Sequence, residues 1–274
     1  MTASDKQAST IKDDVIQVEN LVTHYGERKI LNDINFSVKK GEIMVIMGGS
    51  GSGKSTLLRY LLGLETPASG CIRLLGKDIT KMNGQEMHDM CKNMGVAFQG
   101  GALFGSMTVG ENVRLPLCEH TKLDESTMRI MSRMKLEVVN LAGFEDLMPS
   151  ELSGGMIKRA ALARAVVMDP KLLFFDEPSA GLDPVASAEL DELILRLREA
   201  MNMTIVVVTH ELDSAFKIAD RITVLDHGEI LLCGTVEEVR NADNERIQNL
   251  LNRRPRDENL DVDEYLQRLT GREI

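Results

Sequence analysis

No stretch of this sequence approaches the roughly 20 uninterrupted apolar residues that a membrane-spanning helix needs. The opening residues, MTASDKQASTIKDD, are polar and hold no apolar centre, so a secretory signal is not expected there. Positive charge is also scarce: 32 Lys and Arg stand against 42 Asp and Glu, a net charge of −10. Nucleic acid and anionic lipid are both held by clustered basic residues, so neither is an expected partner. If the protein works at a membrane, another protein must hold it there. The four cysteines, Cys71, Cys91, Cys118 and Cys233, lie far apart with no C-x-x-C pair. Neither a zinc site nor a disulfide framework is expected, and buried thiols in a reducing cytoplasm fit the pattern.

What is present is ordinary for a soluble globular protein: 43% hydrophobic and 27% charged residues in a chain of 274. That length holds one large α/β domain or two small ones. Residues 1–14 read as a disordered tail. From Val15 the text is strand-like, with turn residues at His24–Gly26 and Lys39–Gly41, and it runs into the apolar strand Ile43–Met47. A glycine-rich turn leads to a helical pattern through Leu57, Leu58, Leu61, Leu62 and Leu64, and a short strand follows over Cys71–Leu75. Residues from about 86 to 165 read mostly as helix. One helix is capped by Asp124 and buries a stripe of Met128, Met131, Met134, Val138 and Leu141. Strands return at Leu172–Phe175 and Ile205–Val208, then as a hairpin, Arg221–Leu225 and Glu229–Cys233, around Asp226–His227–Gly228. Strands alternating with helices predict an α/β fold with a mainly parallel central sheet, after an antiparallel β-subdomain and around a helical insertion.

Gly48-Gly49-Ser50-Gly51-Ser52-Gly53-Lys54-Ser55-Thr56 fits G-x-x-x-x-G-K-[ST] between an apolar strand and a helix. Glycines let the backbone curl so that its N–H groups point at phosphate oxygens, and the helix N-terminus adds positive potential. Lys54 is placed for the β- and γ-phosphates of ATP, and the Ser55 hydroxyl for Mg²⁺. Lys171-Leu172-Leu173-Phe174-Phe175-Asp176-Glu177 is an apolar strand ending in two carboxylates. Alternation along a strand predicts opposite facings, with Asp176 toward Mg²⁺ and Glu177 toward the attacking water as general base. Leu152-Ser153-Gly154-Gly155-Met156 precedes an alanine-rich helix, with Ser153 as N-cap and two bare glycines, which makes a second helix end suited to phosphate.

Together these motifs resemble an ABC transporter nucleotide-binding subunit over Val15 to about Asn241, leaving 242–274 as a C-terminal helical extension. The resemblance implies that Tyr25 stacks on adenine and that Gln99 contacts Mg²⁺ and the attacking water while linking to a membrane subunit. It implies that His210 contacts the γ-phosphate, and that the loop Ser179–Asp183 works across a dimer with Asp183 at the nucleotide. It also implies that Ser153, Gly154 and Gly155 complete the ATP site of a partner chain, so the protein pairs with itself. Phe98-Gln99-Gly100-Gly101-Ala102-Leu103-Phe104, Ser106–Val113 and Leu147–Met156 are similar to the ATPases of bacterial maintenance-of-lipid-asymmetry (Mla) systems. Met156 stands where most ABC signatures carry glutamine, as in that branch. That likeness implies phospholipid cargo, an integral-membrane permease, an MCE-type lipid-binding protein and a small STAS-domain cytoplasmic protein. The place implied is the cytoplasmic face of a bacterial inner membrane, peripherally bound.

Other readings share some of these motifs. An ABC ATPase for another small cargo shares all the catalytic ones. A soluble translation-type factor normally carries two cassettes, and a DNA-repair ATPase needs a long coiled coil between Lys54 and Ser153. At the far end, DENLDVDEYLQRLTGREI reads as a short helix capped by Asp261, with Val262, Tyr265, Leu266 and Leu269 on one apolar face that should be covered.

Overall fold

The computed structural model describes residues 14–254. The expected tail lies, but for Asp14, outside the described residues, as does the helix expected beyond residue 257. Alternating apolar residues build the first sheet. In β1 (Asp14–Tyr25) and β2 (Arg28–Lys39), Ile16, Val18 and Leu21 meet Leu31, Ile34, Phe36 and Val38 on one buried face. β4 (Ser69–Leu74) pairs antiparallel with β1, and β5 (Lys77–Asp78) with β4, so the order is β2-β1-β4-β5.

The second sheet positions the site. Its strands are β3 (Ile43–Met47), β6 (Met94–Ala97), β7 (Leu172–Asp176), β8 (Thr204–Thr209), β9 (Arg221–Asp226) and β10 (Glu229–Thr235). The order is β10-β9-β3-β8-β7-β6; β9, β3, β8, β7 and β6 run parallel and β10 is antiparallel to β9. Every residue of β3 and β8 is buried, as expected of parallel strands covered on both faces. Ile43, Val45 and Met47 face one core, shared with α3 (Val109–His120), α4 (Glu125–Val138) and α5 (Gly154–Ala165). Met44 and Ile46 face another, shared with the antiparallel sheet and α1 (Lys54–Leu61). Helix α2 (Gly84–Cys91) adds Met90 to this second core. Helices α6 (Pro184–Met201), α7 (Leu212–Ile218), α8 (Val236–Arg240) and α9 (Glu245–Leu251) complete the described fold. Among the described residues no helix is long and apolar enough to cross a membrane.

Within the mostly helical stretch 86–165 stands one strand, Met94–Ala97, on the edge of the main sheet and paired in parallel with Leu172–Phe175. One expectation needs correction. On α4, Asp124 does cap the helix, its carboxylate accepting from Thr127 N, but the buried line is Met128, Ser132 and Leu136. Met134 is 60% exposed and Val138 46% exposed. The four-residue spacing 128–132–136 follows the helix face that meets α3, and 134 and 138 fall beyond its edge.

Candidate active site

The phosphate loop runs from the end of β3 into α1. A Cβ at Gly48 would lie 2.1 Å from the Leu225 carbonyl oxygen, so only glycine lets this loop pass against the end of β9. Gly53 caps α1 with φ 103°, a left-handed conformation that favours glycine, and no side chain caps the helix. No acidic residue stands in its first turn, so the N–H groups there remain positive and open to an anion. Lys54 Nζ folds back to donate to the carbonyls of Gly48 at 2.8 Å and Gly49 at 3.1 Å. Ser52 Oγ is buried without a partner, whereas Ser55 is exposed at the helix start. Lys54, Gly48, Gly49 and Ser50 line a cleft of about 910 Å³ together with Glu177 and His210.

Glu177 is only 8% exposed and sits just past β7 with φ 48°. That left-handed backbone costs roughly 1–3 kcal/mol for a side chain of this kind and is held by its N–H donating to Val208 O at 2.8 Å. The simple strand alternation of Asp176 and Glu177 therefore breaks at Glu177. Its carboxylate accepts from Thr209 Oγ1 at 3.1 Å, from His210 N at 3.3 Å and from His210 Nδ1 at 2.9 Å. Because an ionised carboxylate only accepts, the Nδ1 of His210 carries the proton in this pair. Asp176 Oδ1 is buried with no protein partner. Burial, then the neighbouring Glu177 charge, pushes the Asp176 pKa up, and Lys54 partly opposes this. An orphaned carboxylate oxygen beside a phosphate loop fits Mg²⁺, a hard cation that prefers carboxylate and hydroxyl oxygen.

The other predicted residues stand apart. Ser153 caps α5, its Oγ accepting from Met156 N at 3.3 Å, but neither it nor Gly154 and Gly155 line the phosphate cleft. A Cβ at Gly154 would meet nothing within 4 Å, and at Gly155 only Leu182 Cδ2 at 3.9 Å. Asp183 caps α6, its Oδ1 accepting from Val185 N and Ala186 N at 3.0 Å each, so the carboxylate is engaged within its own chain. Gln99 is exposed two residues beyond Ala97, which pairs with Phe175 at the same strand ends as Asp176. Tyr25 ends β1 and is 61% exposed, outside the cleft.

Sequence reading missed several groups. Lys158, one turn into α5, donates to Pro178 O at 2.6 Å and Glu177 O at 3.3 Å. Burial, its dominant influence, pulls the Lys158 pKa down. Thr209 holds Glu177, and Arg246, Arg253 and Arg254 line the far side of the cleft, Arg246 Nε donating to Asp226 Oδ2 at 2.6 Å. Only the basic run Arg253-Arg254 carried a local signal, and nothing in the text placed it near the phosphate loop.

The family model described as ABC transporter matches residues 31–180, a span that includes the phosphate loop, the Ser153 helix cap and the Asp176–Glu177 strand end. The chain belongs to the ABC transporter family. It is an ATPase of that family, with an ATP-binding cassette as its fold. An ABC relative from Haemophilus influenzae, the intermembrane phospholipid transport system ATP-binding protein MlaF, is 43% identical over 86% of this chain and 90% of its own. The probable ribonucleotide transport ATP-binding protein mkl of Mycobacterium leprae is 40% identical over 87% of this chain and 69% of its own. A dimeric ATP-binding cassette solved in a post-hydrolysis state with ADP and Pi superposes with a TM-score of 0.73 at 29% identity, over 81% of this chain and 98% of that one.

Proposed function

We propose that this ABC ATPase works as a self-paired dimer that powers phospholipid movement between the inner and outer membranes of a bacterium. The cargo reading is carried by one observation, the 43% identity over 86% of the chain to the phospholipid-system protein MlaF. The paired state is supported by the bare glycines at 154 and 155, which nothing in their own chain requires. They offer open backbone at a helix end to a group from outside, and a partner's ATP is the anion that fits.

In the proposed reaction, the N–H groups of Gly48–Gly53 and the Lys54 ammonium hold the β- and γ-phosphates. Lys54 must first leave the carbonyls of Gly48 and Gly49 that it now contacts. Mg²⁺, when bound by Asp176, Ser55 and Gln99, supplies charge neutralisation at the phosphates. Glu177 takes the proton of the attacking water, positioned by Thr209 and His210; His210 also reaches the γ-phosphate. Tyr25 supplies a face for adenine, and Asp183 acts across the interface from the end of its helix. Closure on ATP and opening after hydrolysis move the membrane subunits as rigid bodies. A groove of about 250 Å³ beside Gln99, with Leu64, Phe98 and Pro116 in its walls, is where the permease docks. An MCE-type lipid-binding protein and a STAS-domain protein complete the assembly at the cytoplasmic face of the inner membrane.

The 40% identity to a protein named for ribonucleotide transport favours one competing reading, a nucleotide cargo for the same engine. Purifying the chain with its membrane subunits and identifying bound small molecules by mass spectrometry decides between them. Bound phospholipid supports the proposal; ribonucleotide recovered from the permease with no lipid enrichment overturns it.

A further inference from the structure

Asp191 on α6 and Ser214 on α7 are only 4% and 5% exposed, and no step of the reaction described above uses either. Ser214 Oγ donates to Asp191 Oδ1 at 2.5 Å. Around this bond the two helices carry aliphatic side chains of the main core, Leu190 and Ile194 on α6 and Ala215 and Ile218 on α7. Burial pushes the Asp191 pKa up, and the Ser214 hydroxyl leads the groups that oppose it. Lys217 does not pair with Asp191; its ammonium meets the Glu192 carboxylate at 3.0 Å and the Ala188 carbonyl at 3.2 Å. A carboxylate in an apolar seam costs stability that a leucine would not. What the pair adds is direction: aliphatic contacts tolerate a small slide of one helix along the other, and a short hydrogen bond does not.

The places where these helices begin give that bond a consequence. Asp183 caps α6 at the end of the Ser179–Asp183 loop, and α7 begins just after His210. Glu211 stands at the cap position of α7 but its side chain makes no cap bond. The start of α7 is held from two other sides. Thr209 Oγ1 accepts from Glu211 N at 3.1 Å, and Ser214, one turn on, is tied to α6. The same Thr209 hydroxyl donates to Glu177. A slide of α7 would therefore disturb the contacts by which His210 and Thr209 orient the Glu177 carboxylate.

We propose that Asp191 and Ser214 are positioning residues for ATP hydrolysis, a buried pin that fixes the register of α7 on α6 and so makes His210 and the Asp183 loop one rigid body. The pin acts through His210 and rests on the reading of that residue as a contact of the γ-phosphate.

The test measures the melting temperature of the full chain, and its ATP turnover once assembled with its membrane subunits. Ser214→Ala leaves a buried carboxylate without its donor and should melt below wild type. Asp191→Leu combined with Ser214→Ala removes both partners and should melt at or above wild type. Its kcat should nevertheless fall by about tenfold with KM for ATP unchanged, because small misplacement of a catalytic group costs up to about 10²-fold. Asp191→Asn, whose carbonyl still accepts from Ser214, should keep kcat near that of wild type. In a His210→Ala background the double substitution should cause no further loss, since the two lesions act through one group. Wild-type kcat in the double variant, a kcat that falls only together with melting temperature, Asp191→Asn as slow as the double variant, or a full further loss on top of His210→Ala would each overturn the pin. His210→Ala turning over at the wild-type rate would instead overturn the reading of His210, and the pin with it.

Discussion

His210 Nδ1 stands 2.9 Å from Glu177 Oε1, while Thr209 Oγ1 and the His210 N–H hold Oε2 at 3.1 and 3.3 Å. The carboxylate is thus gripped from the end of β8, the strand beside its own, and its orientation is set before nucleotide arrives. Glu177→Gln preserves the size of the group and removes its basicity. ATP affinity should be retained while single-turnover hydrolysis slows by roughly 10²–10⁴. The variant should also accumulate as a closed dimer on ATP, visible by light scattering. Hydrolysis at the wild-type rate would place the base elsewhere.

Asp176 should show a conflict between stability and function. Its folded pKa is raised, chiefly by burial and then by the Glu177 charge. The native state therefore binds this proton more readily than the unfolded chain does. Ionising Asp176 accordingly costs stability, and the cost is absent at pH below the unfolded value and complete above the folded one. Asp176→Asn should raise the melting temperature of the nucleotide-free protein at neutral pH, by about 2–4 °C for each kcal/mol recovered. The gain should vanish as pH falls through the carboxylate range. With Mg²⁺ and ATP the order should reverse, because wild type gains ligand stabilisation that the variant has lost. A variant melting lower than wild type in the absence of nucleotide would contradict this.

Lys158 joins the helix that begins at Ser153 to the loop that carries Glu177. Lys158→Met keeps the aliphatic stem but removes the donors to Pro178 O and Glu177 O. Small misplacement of a catalytic group costs up to about 10²-fold, so kcat should fall by roughly 10–100-fold with KM for ATP little changed. A rise in KM at constant kcat would assign Lys158 to nucleotide binding instead.

The contrast between Lys54 and Lys158 explains what could be read from the text. The loop around Lys54 is a local device: strand, glycines and helix are contiguous, and their spacing alone implies a curled backbone over an anion. The buried run of β7 and its acidic end are local in the same sense. Lys158 acts on residues 19 and 20 positions away, through packing of α5 that no periodicity reveals. Met94–Ala97 failed as a strand for a related reason. Four residues between helical stretches carry little pattern, and the strand exists because β7 offers an open parallel edge. On α4 the apolar side chains of Met131, Met134 and Val138 suggested a core face, yet a serine at 132 takes the central buried place, its Oγ donating to Gly110 O at 3.3 Å. Hydrophobicity marked the helix correctly and its inner face only approximately.

The sharpest test of the paired site uses Gly154. A side chain added there meets nothing in its own chain, and a carboxylate in the first turn of α5 suits the helix dipole. Gly154→Glu should therefore fold normally while presenting negative charge to whatever phosphate approaches that helix end. Lys54→Ala removes the phosphate cation from the other motif. Both homodimers should lose hydrolysis. If ATP is shared between chains, a mixed dimer places both lesions in one site and leaves its other site intact. Equal, random mixing makes about half the dimers mixed, so about a quarter of wild-type sites should be restored. Strict coupling of the two sites would lower that yield, and ATP binding measured on the mixture separates coupling from absence. A site contained within one chain predicts a different result, because every chain in the mixture is then damaged. No pairing would restore hydrolysis, and the Lys54→Ala chain would gain no ATP-binding partner from the Gly154→Glu chain.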